Sequence, residues 1–172
     1  MDSAAPSTNK ATPTLHFLCG KMAAGKSTLS KTLAAQWSAV LICEYIWLSR
    51  LYPEEISSFD DYLTYSARLK EVLKPHLVDL LSQGNSLVLD FPANVPRQRQ
   101  WFRDIANAAG AEHVLHFVDT PDALCKAQLQ KRNREKPEGS MCMSEQEFDH
   151  ITSFFVPPAA AELFNIVHYA RP

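Results

Sequence analysis

Residues 20–27 read Gly20-Lys21-Met22-Ala23-Ala24-Gly25-Lys26-Ser27, and this stretch decides the fold. It satisfies G-x-x-x-x-G-K-[ST], the phosphate-binding P-loop pattern. Gly20 and Gly25 let the backbone turn tightly and approach an anion. Lys21, Met22, Ala23 and Ala24 contribute successive N–H groups to an anion nest, and the helix opening behind them adds a positive partial charge. Lys26 is expected to reach the β- and γ-phosphates of a nucleotide, and the Ser27 hydroxyl to bind Mg²⁺. Thr28 is expected to face the α-phosphate. The context fits: Leu15 to Cys19 is a short apolar run ending at Gly20, and residues 26–37 carry apolar positions at Leu29, Leu33 and Trp37. A glycine-rich turn with a stray lysine would not need that strand and that helix.

The alternation continues outward. Val40 to Cys43 reads as a second strand. Residues 58–82 form the longest helical pattern, opened by a Ser58–Asp61 capping box and expected to kink or split near Lys74, before Pro75. Leu87 to Asp90 is a third strand. Asn94 and Pro96 open a helix with Trp101, Phe102 and Ile105 on one face and Gly110 past its end. Arg99 and Arg103 share the other face, which is expected to be solvated or to form an anion site. His113 to Val118 is a fourth strand, and Thr120-Pro121 opens a helix to about Arg132. Residues 133–143, NREKPEGSMCM, read as a surface loop. Ser144 and Glu147 begin another helix, and Asn165 to Tyr169 reads as a last strand. Strands alternating with helices predict βαβ units: an α/β fold with a parallel sheet covered on both faces. Residues 1–13 lack periodicity and are expected to be a disordered tail, which leaves 14–172 as one domain.

Composition narrows the partners. The chain has 172 residues, with 17 Lys plus Arg against 19 Asp plus Glu, a net charge of −2. No bulk basic field exists to hold a polyanion, so nucleic acid is not expected as a partner. No apolar run is long enough for a membrane helix, and no signal-peptide pattern is visible. The four cysteines are scattered without a Cys-x-x-Cys pair, so a cytoplasmic protein with reduced thiols is expected. The six histidines show no metal spacing and are expected to be structural. The guanine-reading Asn-Lys-x-Asp is missing, since Asn9-Lys10 lacks the Asp. ATP is therefore the default nucleotide. Nothing in the pattern fixes an oligomeric state.

From Leu15 to about His168 the chain resembles the small P-loop kinases, the group that includes adenylate, shikimate and gluconate kinases. It looks closest to the AAA-type ATP-binding proteins grouped with zeta-toxin-like and chloramphenicol-phosphotransferase-like kinases. The segments that carry the likeness are LHFLCGKMAAGKSTL, WLSRLYP, VLDFPAN with QRQWFR, CKAQLQKRN and FFVPP. The resemblance implies a three-layer P-loop nucleoside triphosphate hydrolase fold with five parallel strands in the order 2-3-1-4-5. It also implies that Asp90 holds Mg²⁺ through water. Arg132 would contact phosphates as a lid near 133–143 closes, and Gln128 would stand where an adenine-stacking Arg is usual.

Two departures affect the acceptor side. Ala93 follows Phe91-Pro92 where adenylate kinases place an arginine, so Arg97 or Arg99 would have to reach the acceptor instead. Tyr45 stands where related kinases carry an Asp, leaving Glu44 or Asp90 to position or deprotonate the acceptor hydroxyl. A tyrosine is a poor base at pH 7. The expected function is Mg²⁺-dependent transfer of the ATP γ-phosphate to a hydroxyl of a small molecule: an antibiotic, a sugar or a nucleoside. The alternatives are a nucleotide-binding regulator or slow ATPase without an acceptor, and a toxin-like kinase of nucleotide sugars.

Overall fold

The computed structural model describes residues 11–172, so most of the expected 1–13 tail lies outside the described residues. Five strands form one parallel sheet: β1 (Thr14–Cys19), β2 (Val40–Cys43), β3 (Leu87–Asp90), β4 (Glu112–Asp119) and β5 (Ile166–Ala170). Their spatial order is β2-β3-β1-β4-β5, as the resemblance implies. Phe17 on β1 pairs in register with Leu89 on one side and Leu115 on the other. The central strands β1 and β3 are buried almost throughout, which is why they read as continuous apolar runs rather than alternating ones.

Helices α1 (Lys26–Trp37), α2 (Glu44–Leu51), α3 (Phe59–Ser82), α4 (Pro96–Ala109), α5 (Asp122–Glu135) and α6 (Glu145–Thr152) cover the sheet. On one face, Leu69, Leu73, Leu77 and Leu81 of α3 join Phe102 and Ile105 of α4 over Phe17 and Leu89. Phe17 and Phe102 stack with ring centroids 4.5 Å apart. Leu18, Leu33 and Val88 form a smaller cluster under α1.

Two expectations need correction, and one helix is new. Pro75 does not split α3, which runs unbroken from Phe59 to Ser82. Pro75 is exposed, and the buried stripe Leu69–Leu73–Leu77–Leu81 holds the helix on its other side. Helix α5 continues to Glu135, three residues into the expected loop. Helix α2 follows β2 with no intervening turn, and no turn signal marks it in the sequence.

Candidate active site

The phosphate loop lies where β1 ends, at the carboxyl edge of the sheet. Gly20 is required there, because a Cβ on it would lie 2.7 Å from the Val118 carbonyl oxygen. Gly25 caps α1 with φ of 105°, a backbone state that favours glycine. Segments that follow the neighbouring strands β3 and β4 brace the loop. The Asn94 side-chain carbonyl accepts from the Gly20 N–H at 3.0 Å, and the Thr120 hydroxyl donates to the Ala24 carbonyl at 2.9 Å. Lys26 Nζ donates to the carbonyls of Gly20 (2.5 Å) and Lys21 (2.7 Å). Burial pulls the Lys26 pKa down, and the Asp90 carboxylate opposes that shift. The Lys21 side chain turns away to pair with Asp122 at 2.5 Å, so only its backbone belongs to the loop.

A cavity of about 180 Å³ opens on this loop. Met22, Ala23, Ala24, Gly25, Lys26, Ser27 and Thr28 line one wall, and Tyr45, Asp90, Gln128 and Arg132 line the rest. Asp90 ends β3 and is buried. Its carboxylate faces the Ser30 hydroxyl at 3.4 Å and the Cys43 thiol at 3.7 Å. Burial, followed by the Asp90 charge, raises the Cys43 pKa, so the thiol stays protonated as a donor. Arg132 stands one turn beyond Gln128 on α5, and its Nε is buried with no hydrogen-bond partner among the described residues. Burial lowers the Arg132 pKa.

Ser27 and Asp90 offer hard oxygen donors on a single cavity. That suits Mg²⁺, which keeps most of its waters and takes phosphate oxygens with one or two protein ligands. Among the described residues no cluster of three or more His, Cys, Asp or Glu could hold an ion unaided. A cation arriving with the nucleotide fits this donor set better than a resident one.

A second cavity, of about 220 Å³, lies on the far side of Tyr45. Tyr45 lines both. Leu48 and Tyr52 of the α2 region, Ile56 and Tyr62 form its walls, and Gly139, Ser140 and Met141 form its roof. The Tyr45 and Tyr62 rings stack with centroids 6.1 Å apart. The roof segment is tied down by Arg50, whose guanidinium donates twice to the Glu138 carboxylate, at 2.6 and 3.1 Å.

Several residues expected at the site lie elsewhere. Glu44 is fully buried and lines neither cavity. Its oxygens accept from Tyr62 Oη (2.7 Å) and Ser66 Oγ (2.5 Å), with Lys70 Nζ at 3.8 Å. It organises α2 against α3 and has no free edge for an acceptor. Arg99 is also fully buried. Its guanidinium donates to both Glu162 oxygens and to the carbonyls of Ala93 and Val156. Arg103 donates to the Glu162 carbonyl and stacks 4.0 Å over the Phe164 ring. This α4 face is thus neither solvated nor an anion site; it anchors the segment leading into β5. Arg97 is exposed and lines neither cavity.

Sequence reading missed Arg171, just past β5. A Cβ on Gly25 would lie 2.8 Å from its Nη1, so its guanidinium rests on the phosphate loop. It also missed Asn94 and Thr120, whose roles appear only when three strand ends are brought together. No helix among the described residues is long and apolar enough to cross a membrane.

Comparison with known proteins agrees with this architecture. A structure from Chloroflexus aurantiacus J-10-fl, assigned as a kinase, superposes with TM-score 0.73 at 18% identity, covering 92% of this chain and 88% of that one. Chaetomium thermophilum Kti12 in complex with ADP-AlF3 gives TM-score 0.67 at 14% identity, with 91% and 88% covered. Shikimate kinase from Acinetobacter baumannii in complex with shikimate gives 0.56 at 18%, with 95% and 86% covered. At these identities the likeness is one of fold. No curated protein matches the chain in sequence. A family profile described as an AAA domain matches residues 15–158, and the chain belongs to that family of P-loop proteins.

Proposed function

We propose that the protein is an ATP- and Mg²⁺-dependent phosphotransferase that phosphorylates a hydroxyl of a small molecule. The supporting observation is that Lys26, Ser27, Asp90 and Arg132 meet on one cavity, which shares Tyr45 with a second cavity suited to an acceptor. Shikimate kinase and a gluconokinase from Sinorhizobium meliloti 1021 share the fold, in line with this reading.

Phosphoryl transfer needs positioning and charge stabilisation more than covalent help from the protein. The loop amides and Lys26 hold the β- and γ-phosphates. Arg132 faces the charge that spreads over the transferred group, where a fixed cation in a dry site acts strongly. Arg171 holds the loop side near Gly25. Ser27 and Asp90 orient the cation, which when bound neutralises phosphate charge. Gln128, on the same cavity, is the residue proposed to meet the base or ribose. The free thiols suit a reducing cytoplasm.

A second reading is a slow ATPase or nucleotide-binding regulator, favoured by the acceptor side. Glu44 is tied up by Tyr62 and Ser66, and burial pushes the Tyr45 phenol far above its ordinary range, so Tyr45 is no base at neutral pH. ADP release from Mg²⁺-ATP, alone and against antibiotics, sugars and nucleosides, separates the readings. Stimulation by one compound, with a mass gain of one phosphate on it and loss in Lys26→Ala, supports the kinase. Slow release that nothing stimulates supports the ATPase.

A further inference from the structure

The second cavity carries information about what it would hold. Apart from its tyrosines, none of its lining residues is ionisable. Of the nearby cations, Arg50 is held by Glu138, Lys70 by Glu44 and Arg99 by Glu162, and Arg132 lines the nucleotide cavity beyond Tyr45 rather than this one. An anionic acceptor would leave water and find no countercharge in the cavity lining, and an unpaired buried charge is heavily penalised. Three tyrosines supply the surface instead. Tyr45 and Tyr62 stack nearly parallel, 14° apart, and Tyr52 packs against Tyr65 at 4.3 Å. The Tyr62 hydroxyl is occupied by Glu44, but those of Tyr45 and Tyr52 make no hydrogen bond among the described residues. The Ser49 and Ser140 hydroxyls donate to nearby carbonyls. At about 220 Å³ the space lies below the roughly 300–1,000 Å³ of drug-sized clefts.

We infer that the acceptor is an uncharged alcohol, ring-sized in its buried part, which lays a flat apolar face on Tyr45, Tyr52 and Tyr62. This rests on the phosphotransferase reading. A pyranose, through its axial C–H face, and an aryl alcohol, through its ring, share the required chemistry. In the transfer, the acceptor oxygen forms a bond to the γ-phosphorus. The bond from that phosphorus to the bridging oxygen breaks, and the oxygen leaves with the electron pair on ADP. The hydroxyl proton passes to the phosphoryl group and then to water.

The test uses matched pairs with Mg²⁺-ATP: methyl glucopyranoside against its glucuronate twin, and 4-methylbenzyl alcohol against 4-(hydroxymethyl)benzoate. Product phosphate is read by mass. Binding to protein loaded with a non-hydrolysable ATP analogue is read by saturation-transfer NMR. The expected result is a preference of at least about tenfold for a neutral member. Which pair responds separates the sugar from the aryl source. Ser140→Arg, which adds a cation to the roof, is expected to shift the preference toward the carboxylate twin. Equal or better use of the carboxylates by the wild-type protein overturns the inference while leaving the kinase reading intact. An unchanged preference in Ser140→Arg also overturns it. If no compound binds or gains phosphate, the inference falls, and the kinase reading is decided separately by the wider panel of antibiotics, sugars and nucleosides.

Discussion

Gly139 rests directly against the backbone of Tyr45: a Cβ on it would lie 2.9 Å from both the carbonyl carbon and the carbonyl oxygen. Its φ of 76° is a second reason for glycine. This contact seats the 139–141 segment over the second cavity. Gly139→Val is expected to lift the roof and raise the acceptor KM by about tenfold, the worth of a modest loss of packing. Nucleotide affinity, read by calorimetry, should stay within about twofold. Glu138→Gln should matter little, since the Arg50 pair is solvent-exposed and water screens such pairs.

Asp90→Asn separates binding from chemistry. The amide keeps the shape of the buried carboxylate but loses its charge. Turnover of Mg²⁺-ATP is expected to fall by about 10²–10³. Affinity for ADP without metal should change far less. Steady-state rates and metal-free titration check the two halves. An equal loss in both would show that Asp90 supports the fold rather than the reaction.

Arg99 and Glu162 make the opposite prediction. Glu162→Gln strands a fully buried guanidinium, and breaking one partner of a buried pair costs about 3–5 kcal/mol. Urea unfolding should register that loss. Glu162 is one-fifth exposed, which places the effect toward the lower end. Acceptor selectivity of the surviving folded fraction should not change. A selective loss of one acceptor would return Arg99 to the site.

Acid stability should report on the histidine pair beneath α1. His16 Nδ1 and His116 Nε2 lie 3.0 Å apart, and His116 Nδ1 meets the Tyr169 hydroxyl at 2.9 Å. Burial, and then the neighbouring His16, bring the His116 pKa down to about 4. Between pH 4 and 6.5 the unfolded chain takes up a proton that the folded chain refuses. Stability therefore rises with pH through that window and is complete above it. The full effect is about 3 kcal/mol at most. Calorimetry of the wild-type protein and His116→Gln should show the slope flattened in the variant.

What the sequence made legible was local. The phosphate loop, the strand edges and the two Ser capping boxes depend on residues within a few positions of each other. Strand β3 delivers Asp90 to the loop because its register with β1 follows from two apolar runs. Other features depend on distant partners. Arg99 meets Glu162 sixty-three positions away, and nothing near either residue announces the pair. Glu44 is taken by Tyr62 and Ser66, which only the packing of α2 on α3 brings near. Helix α2 has Cys43 as its N-cap without a side-chain bond, so it left no start signal. Arg171 reaches Gly25 only because β5 lies at the sheet edge beside β4.

The most direct test of the central claim follows the γ-phosphate itself. Protein and Mg²⁺-ATP labelled at the γ-position would be incubated with the neutral alcohols, using Lys26→Ala as control. The account predicts label on one alcohol, at least about tenfold less on its carboxylate twin, and none with the variant. Label that appears only as inorganic phosphate, at a rate no alcohol alters, would contradict it.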